Sequence, residues 1–140
     1  MEEKSPHRSL VETVLARSGF ASTARIEIEA VAPGAVDLRV EMSDAVTQFD
    51  GFFHGGLIAT LADCAGGGAG ATAEPMTTRV VTTNLQVTFM KPARGRSIVA
   101  RAVCAHPGRA LRVSEVDLIT RDGDKETRVA TATVTLMAVP

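Results

Sequence analysis

The sequence of 140 residues has no tryptophan and no tyrosine, and phenylalanine occurs only five times. That removes the stacking platforms on which single-stranded nucleic acids are usually read. Excess positive charge is missing too: fifteen Lys and Arg stand against sixteen Asp and Glu, for a formal net charge of -1. Without a positive field, binding to a phosphate backbone is disfavoured, and no nucleic-acid partner is expected. Long apolar runs are absent. The most apolar window, residues 57–73, is interrupted by Asp63 and four glycines, and nothing reaches the eighteen or so apolar residues a membrane span needs. The opening residues, MEEKSPHRSLVETVLARSGF, carry acids at once and no apolar core, so neither a signal nor a transit peptide is predicted and a cytoplasmic location is expected. The two cysteines, Cys64 and Cys104, lie in no CxxC or HxxxH spacing. No zinc framework follows, and reduced, buried thiols are the expectation.

What remains is a normal globular composition, 45% hydrophobic and 22% charged, well away from the signature of disorder. The length fits one domain, residues 1–140. Ser5-Pro6 opens a helix as N-cap and first turn, apolar residues follow at Leu10, Val11, Val14 and Leu15, and Gly19 reads as its stop, giving a helix within residues 1–20. Ile26, Ile28 and Ala30 alternate with charged residues, Pro33-Gly34 turns the chain, and Val36, Leu38 and Val40 alternate again, which predicts a hairpin. Residues 43–53 keep no period and read as a loop. From Gly55 to about Ala73, Leu57, Ile58, Leu61, Ala62, Ala65 and Ala69 recur at helical spacing, predicting a central helix over 54–73. Four strands should follow, the last two joined by a tight Asp122-Gly123 turn. In the first of them Val81, Leu85, Val87 and Phe89 share one parity and Thr82, Asn84, Gln86 and Thr88 the other. The predicted class is α+β, an antiparallel sheet wrapped around one long helix.

Gly66, Gly67, Gly68 and Gly70 would together cost that helix about 3 to 4 kcal/mol relative to alanine. Close approach of another element is the expected compensation, since no Lys-Ser/Thr follows to make a phosphate loop. His7 falls in an end expected to fray and His106 at a turn, which leaves His54, beside Gly55-Gly56 at the predicted helix start. Unpaired backbone N–H groups and the positive helix end can hold a developing negative oxygen there, although a histidine in this place is also a common cap. Asp63 sits two turns along the same helix between Ala62 and Cys64, either as a functional carboxylate or hydrogen-bonded to a neighbouring strand. No GxSxG motif supports serine chemistry.

The run Gln48-Phe49-Asp50-Gly51-Phe52-Phe53-His54-Gly55-Gly56-Leu57-Ile58-Ala59-Thr60-Leu61-Ala62-Asp63 resembles the motif of hotdog-fold thioesterases of the PaaI-like, phenylacetate-pathway group: an Asn or Gln, then HGG, then an acid nine residues after the His. Residues 81–93, ending in Pro92-Ala93, resemble that family's strand and turn, and the likeness extends over nearly the whole chain after about residue 20. The resemblance implies a hotdog fold and acyl-CoA thioester hydrolysis. Asp63 would be the catalytic carboxylate, Gly55 would donate its backbone N–H to the carbonyl oxygen, His54 and Gln48 would orient thioester or water, and Thr82 would help place the water. It implies an acyl-CoA substrate, no cofactor and no metal, and a homodimer or homotetramer with the active site between subunits. Gly56 and Phe53 would contact substrate, and Lys91, Arg94, Arg109 and Arg112 would meet the phosphates of coenzyme A. Phe49, Phe52 and Phe53 hint at an aromatic or medium-chain acyl group, and core packing accounts for them equally well. Many relatives carry Asn where this chain has Gln48. A non-catalytic acyl-CoA binding or sensing protein is the alternative.

Overall fold

Two short helices open the chain, α1 (Pro6–Arg17) and α2 (Gly19–Thr23), in the computed structural model, which describes residues 3–140. Ser5 caps α1 by accepting the Arg8 N–H at 3.1 Å. The expected stop at Gly19 is corrected: α1 ends at Arg17, Ser18 accepts the Ala21 N–H at 3.2 Å, and Gly19 starts the second helix. The first two residues of the predicted 1–20 helix lie outside the described residues. His7 does not fray. Its Nε2 lies 2.7 Å from Glu74 Oε1, and this contact is the chief reason the Glu74 carboxyl is held below its usual range.

Next come the hairpin β1 (Glu27–Ala32) and β2 (Ala35–Glu41), a loop, the long helix α3 (Gly55–Thr72), and four strands: β3 (Val80–Phe89), β4 (Ser97–Pro107), β5 (Leu111–Asp122) and β6 (Lys125–Ala138). All pairs are antiparallel, in the order β1-β2-β4-β5-β6-β3. This is the predicted α+β architecture, the hotdog fold, with the hairpin, the central helix and the four later strands in the predicted order. The loop contains one 3-10 turn, Asp44–Val46, and a bridge between Thr47 and Phe53. At the β5–β6 hairpin Asp122 pairs with Lys125, and Gly123 supplies the positive φ of +61° that the two-residue turn requires.

Alternation builds the core. Val36, Leu38 and Val40 of β2, Ile98, Ala100 and Ala102 of β4, and Val134 and Leu136 of β6 face inward, and α3 meets them with the stripe from Leu57 to Ala69. Each branched side chain so buried contributes about 1.5–3 kcal/mol. The glycines of α3 divide by role. A methyl group on Gly66 would sit 2.6 Å from Val134, one on Gly70 2.3 Å from Leu136, and one on Gly68 3.3 Å from Val36. Those three let the strands close on the helix, whereas Gly67 has nothing within 4 Å.

The register of β3 departs from simple alternation. A bulge between Thr82 and Asn84 shifts the pairing with β6, so Thr82 stands beside inward Leu136 while Asn84 stands beside Thr135. Val81 and Leu85 therefore do not share a face, as strict parity predicted. Strand β3 is also the sheet's edge, and Val81, Leu85 and Phe89 are exposed on it.

Candidate functional site

The loop before α3 is tied down by backbone bonds before any side chain acts. Phe53 N–H donates to Ala93 O and His54 N–H to Val46 O, each at 2.9 Å. Gln48 closes a small turn, its Oε1 accepting the N–H groups of Asp50 and Phe52. That leaves the Gln48 amide nitrogen as its available end. His54 is the N-cap of α3, and its Nδ1 accepts the Gly56 N–H at 2.8 Å. The neutral ring thus carries its proton on Nε2. Gly56, expected to contact substrate, gives its backbone donor to His54. The Gly55 N–H, by contrast, has no acceptor among the described residues. Gly55, at the positive end of the helix, borders an open hollow with Gln48, Phe52, Phe53, Ile58, Phe89 and Lys91.

Asp63 lies eight residues further along α3, about 12 Å at helical rise. Its Oδ1 accepts a hydrogen bond of 2.7 Å from Thr82 Oγ1, a contact made because the β3 bulge turns Thr82 inward. Both side chains stand at a second cavity, a cleft of about 370 Å³ between α1, α3 and β3, whose lining includes Leu10, Val14, Cys64 and Gly67. Cys64 is a free thiol that burial, with the neighbouring Asp63 adding, pushes up to about 11, so it stays protonated and unreactive near neutral pH. Among the described residues no three His, Cys, Asp or Glu side chains gather into a group able to hold a metal ion, and no helix is long and apolar enough to cross a membrane.

The structure thus brings Asp63 to Thr82, and Gln48, Phe53 and Gly55 to one another, but it puts these two sets in separate hollows. The expected phosphate contacts scatter. Lys91 borders the hollow at Gly55 and also an adjoining groove with Arg94, and that groove includes Lys125, which sequence reading did not single out. Arg94 lies 4.7 Å over the Phe52 ring. Arg109 sits in the β4–β5 turn at the other end of α3. Arg112 is corrected outright: only 2% exposed, it donates from Nη1 to Gly70 O and Ala73 O at 2.7 Å each, and from Nη2 to Pro75 O. It caps the C-terminal end of α3 and has no path to a ligand. Of the phenylalanines expected at an acyl pocket, Phe52 and Phe53 border the Gly55 hollow, Phe49 is fully exposed, and none lines the Asp63 cleft.

With this geometry in place, the comparisons with known proteins are specific. The family model described as the thioesterase superfamily matches residues 50–127. A protein of Halobacterium salinarum provisionally named an esterase is 31% identical over 117 residues, which cover 80% of this chain and 77% of that protein. The crystal structure of a thioesterase family protein from Silicibacter pomeroyi has a TM-score of 0.90 at 32% identity, covering 95% of this chain and 98% of that one. Zebrafish thioesterase superfamily member 2 has a TM-score of 0.81 at 26% identity, covering 97% and 100%. The PaaI protein of the E. coli phenylacetic acid degradation operon matches in fold, with a TM-score of 0.82 at 17% identity, covering 96% and 94%.

Proposed function

The chain belongs to the thioesterase superfamily, and from that premise we propose that it hydrolyses acyl-CoA thioesters, with Asp63 as the catalytic carboxylate and the Gly55 N–H as the donor to the carbonyl oxygen. The observation that carries the reading is the 2.7 Å bond from Thr82 to Asp63 in a cleft lined mostly by apolar residues. It fixes one carboxylate oxygen and keeps the other for chemistry. A thioester has a weakly stabilised carbonyl, so a positioned oxygen nucleophile and one aimed N–H supply most of what its hydrolysis requires. Asp63 works on the carbonyl carbon either directly or through a water whose proton it takes. Negative charge then gathers on the carbonyl oxygen, where one well-placed donor is worth about 2.7–4 kcal/mol. The tetrahedral carbon collapses with cleavage of the C–S bond, and the thiolate of coenzyme A leaves; on the direct route the acyl–Asp63 anhydride so formed is then cleaved by water, which restores the carboxylate and releases the free acid. Gln48 and His54 orient the thioester, and Thr82 holds Asp63 and the water.

Within one chain the two groups stand about 12 Å apart along α3 and open into different hollows, whereas a thioester carbonyl spans a few ångströms. We therefore assign the site to two copies, each giving its Asp63 to a thioester held at the other's Gly55, in a dimer joined through the exposed β3 edge, with a tetramer as its further assembly. Lys91 and Arg94, on the groove that adjoins the Gly55 hollow, are the phosphate contacts of this reading, and Arg109 reaches the ligand only from the second copy.

The test is a panel of acyl-CoAs with a thiol reagent on wild type and Asp63→Asn. The variant keeps the shape of the carboxylate and the Thr82 contact, so its melting temperature should match wild type while turnover falls about 10²- to 10⁴-fold. Equal turnover would remove Asp63 from the mechanism. Saturable binding of acyl-CoA to wild type with no thiol release would instead favour the binding and sensing alternative.

A further inference from the structure

The helix α1 has no assigned part in catalysis, yet it forms a whole wall of the Asp63 cleft. Val11, 4% exposed, anchors it to the core, while Leu10, Val14 and Leu15 face the cavity. Val14 is 52% exposed, an apolar side chain left at a rim instead of packed away. Across the cleft stand Val80 and Leu136, and no aromatic ring is among the lining residues. Gly67 completes the floor. Its missing side chain serves no packing contact, unlike Gly66 and Gly70, and leaves open space beside Asp63.

We propose that α1 is the selectivity wall of this enzyme: the cleft beneath it takes a saturated aliphatic acyl chain, straight or branched, and Leu10 and Val14 set the longest chain accepted. The inference rests on the thioesterase reading, because with Asp63 and Thr82 in the cleft lining the reacting carbonyl sits beside them and the acyl group is what remains to fill the cleft. An aliphatic chain gains burial at every methylene against walls of this kind. A flat ring would find no aromatic stacking partner in the lining, whose polar members besides Asp63 and Thr82 are Ser18, Thr78 and Arg79.

The experiment measures kcat/KM over the saturated acyl-CoAs from acetyl to myristoyl, together with benzoyl-CoA and phenylacetyl-CoA. For wild type, kcat/KM should rise by about fourfold per added methylene, the ~0.8 kcal/mol of one buried CH2, up to a ceiling. Val14→Phe should lower the ceiling and Val14→Ala raise it, each read as the ratio of long-chain to acetyl kcat/KM. Since Val14 is half exposed, neither change disturbs the core. A flat profile, a preference for the aryl substrates, or a ceiling that neither variant moves would overturn the proposal. Should no acyl-CoA release thiol, the hydrolase reading fails by itself, and the same series is read by calorimetric binding. Affinity that grows with chain length to a ceiling lowered by Val14→Phe sustains the wall, and affinity independent of length overturns it.

Discussion

The two ends of α3 present the same problem, backbone groups the helix leaves without partners, and the protein treats them in opposite ways. At the C-terminal end the carbonyls of Gly70 and Ala73 are buried, and the buried guanidinium of Arg112 answers both, reaching Pro75 and Gly108 as well. At the N-terminal end His54 takes one N–H, that of Gly56, and the Gly55 N–H beside it, without an acceptor among the described residues, lies at the edge of an open hollow. The comparison separates structure from chemistry. A charged side chain spent on a helix end holds the fold together, and a bare donor kept at the opposite end is available to a ligand.

The largest effect should come from the satisfied end. Arg112→Met strands the buried Gly70 and Ala73 carbonyls at about 1–3 kcal/mol each, so urea unfolding should register a loss of about 2–6 kcal/mol. A loss under about 1 kcal/mol would mean that water or neighbours replace the guanidinium, and the contrast between the ends would lose its basis.

The bare end should affect rate and leave stability nearly alone. Gly55→Pro deletes one N–H at the first helical position, where proline is welcome, and His54 already has the extended φ of -63° and ψ of 136° that a residue before proline prefers. Turnover of the best acyl-CoA should fall about 10²- to 10³-fold, the worth of one oxyanion donor, with the melting temperature little changed. Full activity in this variant would show that the donor lies elsewhere.

A smaller and sharper contrast lies within the glycine run. Gly66→Ala drives a methyl into the stiff Val134 side chain and should destabilise by about 1–3 kcal/mol. Gly67→Ala meets nothing and should stabilise by up to about 1 kcal/mol through helix propensity. Thermal melts of the pair should move in opposite directions, and movement in the same direction would merge the packed and open faces that the comparison keeps apart.

Much of this arrangement could be read without coordinates, because it is written in local periodicity. The α3 stripe from Leu57 to Ala69, the Asp122-Gly123 hairpin and the inward alternation of β2 are set by residues a few positions apart. What escaped depends on distant contacts or on a slip of one residue. Arg112 lies on the inward parity of β5 with Ser114, Val116 and Leu118, but local sequence does not say what answers a charge there, and the sheet order carries it to carbonyls some forty residues away in the chain. The β3 bulge adds a single residue, which parity counting misses, yet it turns Thr82 onto Asp63. At Ser18-Gly19 a glycine that reads as a stop is instead the first residue of α2, since Ser18 caps the new helix. That α1 walls the Asp63 cleft follows from tertiary packing and leaves no local mark.

The central claim is that catalysis needs Asp63 from one copy and the Gly55 donor from another, and subunit complementation tests it most directly. Gly55→Pro and Asp63→Asn, each nearly inactive alone, are unfolded together and refolded as a mixture. Random assortment gives mixed dimers in which one site of the two combines both intact groups, so roughly a quarter of wild-type acyl-CoA hydrolysis should return. A mixture no more active than its separate components would contradict the shared site.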